Sequence, residues 1–224
     1  MKKDKKVFII LGAQGSGKGT QAKFIAAVMH LAYFSIGEEL KKIRDKNTKL
    51  GKIVKKYYDK GLLLPEKYTT QIIVNAFKQL KVKTQKGIII DGYPRTMVQV
   101  KSFEKILKSN HLGDPLVIYL KINTRTALKR IAKRKLCSTC GKSFNPKERD
   151  YVLNICQKCR KPLSLRPDDT PEAIKARLEI FTKRTKPTIV YFKNRDQLLE
   201  INGELSIEDV NREILNNFKK LGIK

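Results

Sequence analysis

Gly12-Ala13-Gln14-Gly15-Ser16-Gly17-Lys18-Gly19-Thr20 is the stretch on which the fold turns. It follows the apolar run Val7-Phe8-Ile9-Ile10-Leu11 and opens a segment, 19–30, with helical patterning. Strand, glycine loop, then a helix with an embedded lysine is the layout of a phosphate cradle. Glycines let backbone N–H groups turn inward on a polyphosphate, and the helix N-terminus adds the positive end of its dipole. The spacing Gly12-x4-Gly17-Lys18 fits the P-loop, with Lys18 as the mobile cation for the terminal phosphates. The residue after the lysine is Gly19, and the hydroxyl comes one place later, at Thr20.

Outward from this loop, apolar runs at 7–11, 33–35, 87–90, 116–121 and 198–201 read as buried strands. Helical patterns fall between them, at 19–30, 37–46, 49–59, 66–80, 96–109, 123–135, 170–194 and 206–219. Thr170-Pro171-Glu172 is a helix start, with a cap, a first-turn proline and an acid in order. Alternating strands and helices predict an α/β fold with a parallel sheet. Residues 136–168 break the pattern and read as an insert.

All four cysteines lie in that insert, as Cys137-x2-Cys140 and Cys156-x2-Cys159. Two such pairs at this separation read as a closed tetrahedral zinc site, structural because no ligand position is left for a reacting water. Two disulfides or four free thiols are the competing reading, and a reducing compartment disfavours the first.

The 224 residues carry a formal charge of +28, from 37 Lys and 12 Arg against 21 acids. A basic field invites a nucleic-acid partner. The lysines are scattered through every segment, however, which suits a solvated surface with a weak, salt-sensitive affinity for any polyanion. No apolar run approaches a membrane span, and five apolar residues near the N-terminus are too few for a secretory signal core, so a cytoplasmic location is expected.

A second phosphate site follows the strand 87–90, at Asp91-Gly92-Tyr93-Pro94-Arg95 with Gln99 beyond. A carboxylate at a strand's C-terminal end suits metal-bound water or a lysine. Arg95 offers a guanidinium fork, and the Gln99 amide both donates and accepts, as an adenine edge requires. Arg130 and Arg134 stand four apart on a predicted helix and point toward the insert; Arg166 closes it, and Arg177 follows in the next helix. Asp168 and Asp169 read as a cap or as partners for arginine.

Together these features resemble the adenylate kinase family, in its long form with a zinc-bearing lid. The resemblance runs from about residue 7 to 218. It rests on Gly12–Thr20, Ser35-Ile36-Gly37-Glu38, Gly61-Leu62-Leu63-Leu64-Pro65, Asp91–Arg95 with Gln99, Arg130-x3-Arg134, the four cysteines, Arg166-x-Asp168-Asp169, Arg177 and Ile201-Asn202-Gly203-Glu204.

The resemblance implies a P-loop kinase core with a five-stranded parallel sheet (1–34, 65–132 and 170–224). It also implies a nucleoside-monophosphate-binding insert (35–64) and a zinc-bearing lid (133–169). Lys18, Arg95, Arg134, Arg166 and Arg177 would carry the catalytic charge. ATP would meet Gly15, Ser16, Gly17, Lys18, Gly19, Thr20, Arg130, Arg134, Ser143, Phe144 and Leu205. AMP would meet Ile36, Lys41, Leu62, Leu63, Leu64, Gly92, Tyr93, Pro94, Arg95, Gln99, Arg166 and Arg177. Glu38 and Asp91 would hold the water around Mg²⁺, and Cys137, Cys140, Cys156 and Cys159 would hold Zn²⁺. The implied reaction takes ATP and AMP to two ADP in a monomer with no obligatory protein partner.

Four positions depart from the family pattern. Ile36 stands where threonine is usual, Lys41 for arginine, Glu38 for aspartate, and Gln14 for a proline whose loss loosens the glycine loop. The first three fall in the monophosphate insert. They open a related reading, a kinase acting on UMP, CMP or dAMP, although Gln99 favours adenine. A basic zinc protein that binds nucleic acid through Cys137–Cys159 is the reading from another class. Phe144 and Tyr151 are its only aromatic residues for base stacking.

Overall fold

The sequence alternation folds as a parallel sheet in a computed structural model that describes residues 6–79, 86–144, 146, 149–166 and 169–223. Strands β1 (Lys6–Gly12), β2 (Ala32–Ser35), β3 (Gly87–Asp91), β4 (Leu116–Lys121) and β9 (Leu198–Asn202) are arranged β2-β3-β1-β4-β9, all parallel. All five predicted strands are present, each within a residue or two of its expected bounds. The Thr170 cap is also observed, accepting from the Ala173 N–H.

Side chains along each strand alternate between two apolar layers, as the period of two demands. Val7, Ile9 and Leu11 join a core that includes Phe34, Ile88, Ile90, Val100, Phe103 and Phe192. Phe8 and Ile10 join Ile89, Ile118, Ile201, Ile25 and Phe218 on the opposite face. Helix α1 (Lys18–Met29) and α10 (Ile207–Lys220) cover this second face; α4 (Glu66–Gln79), α5 (Met97–Ser109) and α9 (Lys186–Lys193) cover the first.

The chain leaves β1 for β2 on one side and later returns to β4 on the other. A crevice therefore opens beyond the carboxyl end of β1, the usual ligand position in an open α/β sheet. The glycine loop and Asp91, at the end of the neighbouring β3, meet there.

Two smaller units flank the crevice. Helices α2 (Ile36–Arg44) and α3 (Lys49–Tyr58) pack together, capped by Ser35 and Thr48. On the other side, after α6 (Thr124–Ala132), strands β5 (Lys135–Cys137), β6 (Ser143–Phe144), β7 (Ile155–Cys156) and β8 (Lys161–Leu165) form an antiparallel sheet, with the short helix α7 (Arg149–Val152) between β6 and β7. Its small core is Cys137, Phe144, Cys156 and Leu163. Asp168 lies outside the described residues.

Two expected helices differ. The segment predicted as helix 123–135 ends at Ala132, so Arg134 stands beyond the helix and shares no face with Arg130. The segment 170–194 is interrupted: α8 (Pro171–Ile180) passes through a π-helical turn, Phe181–Thr185, into α9. Pro187 has no N–H for the carbonyl four residues back, and this opens the ladder to a wider turn.

Candidate active site

The glycine loop takes a shape that only glycine adopts without strain at two points, Gly15 (φ 84°) and Gly17 (φ 90°). Nothing lies within 4 Å of where a Gly17 Cβ would stand, so the loop is open on that side. Gly17 caps α1 with no side-chain bond and no acid in the first turn. Side chains of Ser35, Thr48, Thr96, Asn123, Thr170 and Ser206 cap six other helices. The start of α1 is thus left for an outside acceptor, as a phosphate site requires. Lys18 Nζ folds back to donate to the Ala13 carbonyl at 2.8 Å. Ser16 Oγ is buried without a hydrogen-bond partner among the described residues. A Cβ on Gly19 would stand 3.3 Å from Asp91 Oδ2, a tight contact with the carboxylate.

Lys18 and Arg95 face Asp91, with Arg134 and Arg166 near Lys18 and Arg177 near Arg95. Burial pulls Lys18 down to about 8; the Asp91 carboxylate opposes this, while Arg95, Arg134 and Arg166 reinforce it. Burial likewise lowers Arg95, with Asp91 opposing and Arg177 and Arg166 reinforcing. Burial raises Asp91, and Lys18 and Arg95 counter it. Each guanidinium is anchored. Arg95 Nε donates to the Gly92 carbonyl at 2.6 Å, and the Arg95 carbonyl accepts from Thr185 Oγ1 at 3.2 Å. Arg134 and Arg177 both pair with Asp169, Arg177 at 3.1 Å. Arg166 Nη2 donates to the Tyr58 hydroxyl at 2.7 Å. Five positive groups over Asp91 and Asp169 leave a positive surplus in a pocket of low dielectric, which attracts polyanions strongly.

Other predicted residues sort by place. Ile36 is buried beside Gly92, and Tyr93 is buried with its hydroxyl on the Gln99 carbonyl at 3.3 Å. Gln99 is also buried, and its Oε1 accepts from the Arg95 N–H at 2.7 Å. Pro94 and Leu64 are buried, Leu63 and Lys41 half-buried, Leu62 exposed. Glu38 stands at the rim, paired with Lys23 at 2.7 Å. Thr20 is exposed at the head of α1.

Arg130 does not point toward the lid as expected. It donates to the carbonyls of Gly203 (2.7 Å), Glu204 (3.1 Å) and Leu205 (3.4 Å), because the turn after β9 presents its oxygens to that side of α6. Ser143 is exposed, and the Phe144 ring is spent on the lid core.

Sequence reasoning missed three contributors. Tyr58, at the end of α3, receives Arg166 on its hydroxyl, and Arg44 and Arg177 lie over its ring at 5.1 and 5.7 Å. Thr185 holds Arg95 from the π turn. Gln14, read as a loosening of the loop, instead donates from Nε2 to Asp169 Oδ1 at 2.7 Å. An adjacent Tyr57-Tyr58 pair and Pro187 inside a helical pattern were the available signals for the first two.

The cysteines are free thiols, and their four Sγ atoms lie within 4.8 Å of one another. Cys140 and Cys156 sulfurs are 3.9 Å apart, close to the separation of about 3.8 Å that tetrahedral Zn–S bonds of about 2.3 Å impose. The Cys140 backbone N–H, followed by that of Thr139, lowers the Cys137 thiol, whereas burial and the neighbouring thiols raise Cys159, so the four sulfurs share their protons as one cluster. The donor set fits zinc.

Among the described residues, no helix is long and apolar enough to cross a membrane. A family model described as adenylate kinase matches residues 10–197. The adenylate kinase of Caldicellulosiruptor saccharolyticus is 36% identical over 219 residues, covering 96% of this chain and 99% of the relative. Those of Thermoanaerobacter sp. (strain X514) and of Aster yellows witches'-broom phytoplasma are 35% and 36% identical, covering 92% and 93% of this chain and 94% and 96% of theirs. The phosphate-ready loop, the cation cluster and these matches lead to one conclusion: the chain belongs to the adenylate kinase family and is an ATP-dependent nucleoside monophosphate kinase.

Proposed function

We propose that the protein transfers the γ-phosphoryl group of ATP reversibly to AMP, giving two ADP. A phosphate oxygen of AMP attacks the γ-phosphorus, that bond forms as the β–γ bridge bond breaks, and the departing oxygen remains on ADP. The nucleophile is already anionic, so no general base is required. Alignment and neutralisation of a loose transition state carry the rate. The observation that carries this reading is the convergence of Arg95, Arg134 and Arg166 on Lys18, with Arg177 beside Arg95, over the open glycine loop.

In this reading Gly15 to Thr20 wrap the ATP phosphates and Lys18 follows the transferred group. Arg134 holds the ATP phosphates, Arg166 and Arg177 bridge the two nucleotides, and Arg95 holds the AMP phosphate. Arg130, Leu205, Ser143 and Phe144 would border the ATP base; of these, Arg130 and Leu205 have support from their contact at the turn after β9. Ile36, Lys41, Leu62 to Leu64, Gly92 to Pro94 and Gln99 would border AMP. Mg²⁺, bound with ATP, would draw charge off the β- and γ-oxygens. Asp91, beneath the loop, suits its water shell; Glu38 is held by Lys23 at the rim. A structural Zn²⁺ on Cys137, Cys140, Cys156 and Cys159 would set the lid fold. The working division is a core of 1–34, 65–132 and 170–224, a monophosphate insert of 35–64 and a lid of 133–169, in a cytoplasmic monomer.

The test is product analysis after mixing protein, Mg²⁺, ATP and each of AMP, dAMP, UMP and CMP. Formation of ADP fastest with AMP is expected. The apolar Ile36 side chain beside Gly92 favours the second reading, another monophosphate, and faster turnover with UMP or CMP would establish it.

A further inference from the structure

The contact between Gln14 and Asp169 joins elements 155 residues apart in sequence. Asp169 is the last residue before the cap of α8, where the chain leaves the small antiparallel unit. Its side chain is only 9% exposed. Three donors meet it from three directions: Gln14 Nε2 from the glycine loop, Arg134 from the entrance to the small unit, and Arg177 from α8. Gln14 and Arg177 share Oδ1, whereas Arg134 takes Oδ2. The two strands of chain that enter and leave the lid are therefore fastened to one carboxylate, and that carboxylate is fastened to the phosphate loop.

The Gln14 amide is not filling space. A carboxylate only accepts, so the amide nitrogen must face Asp169 and Oε1 must face the other way. Oε1 is buried there without a partner among the described residues. A leucine would occupy the same volume without a stranded acceptor. The arrangement keeps an unfavourable oxygen in order to place one N–H.

We propose that Gln14 is a positioning residue. Through Asp169 it fixes where Arg134 and Arg177 stand relative to the glycine loop, so the guanidinium groups of the lid hinge and of α8 arrive in register with the phosphates that the loop holds. This rests on the phosphoryl-transfer reading above. Nucleotide binding draws on the whole cluster, while alignment in the transition state depends on the exact offset between loop and arginines. A small misplacement of such groups is costly in rate.

The experiment compares wild type with Gln14→Leu, Gln14→Lys and Asp169→Ala, and with the Gln14→Leu/Asp169→Ala double variant. Melting curves first establish that each is folded. Steady-state kinetics with ATP and AMP should then show Gln14→Leu with kcat lower by about tenfold and KM for ATP within about twofold. Gln14→Lys, which keeps a donor of similar reach, should recover most of that loss. The leucine substitution should cost little further in the Asp169→Ala background, because its effect passes through that carboxylate.

The proposal is overturned if Gln14→Leu keeps the wild-type kcat, if its loss falls on KM alone, or if the loss is undiminished without Asp169. A wild type that makes no ADP from ATP and AMP instead overturns the reaction assignment. If Gln14→Leu does not fold, hydrogen exchange at the amides of 166, 169 and 170 in Gln14→Lys against Gln14→Glu decides. Retained protection only with the donor present supports the tether, and equal protection in both refutes it.

Discussion

Lys18 sets a pH dependence whose sign follows from its environment. Burial brings it down to about 8, against 10.5 for an ordinary lysine. Between these values the unfolded chain holds the proton and the free folded chain has released it, so stability rises with pH across that window. A bound polyphosphate restores the charged form. Nucleotide binding at pH 9 should therefore take up as much as about one proton per chain, and affinity should weaken as pH climbs beyond about 8. Calorimetry in buffers of different ionisation enthalpy measures the uptake, and Lys18→Met should abolish it. Arg95 and Arg177 act at the same scale. In the proposed reaction each would carry transition-state charge, so Arg95→Ala or Arg177→Ala should lower kcat/KM by about 10²–10³ in initial-rate assays on protein that melting curves show to be folded. Tyr58 links the end of α3 to Arg166 through its hydroxyl. Tyr58→Phe keeps the ring that Arg44 and Arg177 cover, so it should leave folding intact and cost only a few-fold in kcat.

At the scale of elements, the legible and illegible parts separate by physical cause. The central strands β1 and β3 could be read because each is an apolar run covered on both faces, and the glycine loop because its spacing has few other uses. Contacts made across the cleft left no such trace. Gln14 and Tyr58 owe their roles to partners more than a hundred residues away, and a single side chain carries no record of that distance. The π turn lay between these cases. Pro187 marked a break inside a helical pattern, but only the fold shows that the widened turn brings Thr185 onto the Arg95 carbonyl. The cysteine-bearing unit illustrates a third situation: its cysteine spacing was plain, yet among the described residues its core is Cys137, Phe144, Cys156 and Leu163, with Tyr151 and Cys159 packed against it. So few apolar groups do not stabilise an independent unit, and a metal would have to supply the difference. Cys137→Ser should lower the melting temperature, and metal analysis of the reduced protein should fall from about one zinc per chain to well below it.

For the whole molecule, the governing quantity is the formal charge of +28. Its field extends beyond the cleft, whereas the cations assigned to the proposed chemistry are gathered beside the glycine loop. These two populations respond differently to salt. Exposed lysines are screened within a Debye length of about 8 Å at physiological ionic strength, but buried groups beside the glycine loop are screened far less. Capture of an anionic nucleotide should therefore weaken steeply as salt rises, while the bound-state step should not. Raising potassium chloride from about 0.05 to 0.5 M should lower kcat/KM for ATP by an order of magnitude or more and change kcat by less than about twofold. The same titration separates the kinase from the nucleic-acid reading. Retention of generic RNA should vanish with salt over that range, and ATP should compete with RNA only where the field is unscreened. RNA binding that survives high salt, with kcat falling in parallel with kcat/KM, would place the functional charge on the surface and not in the cleft.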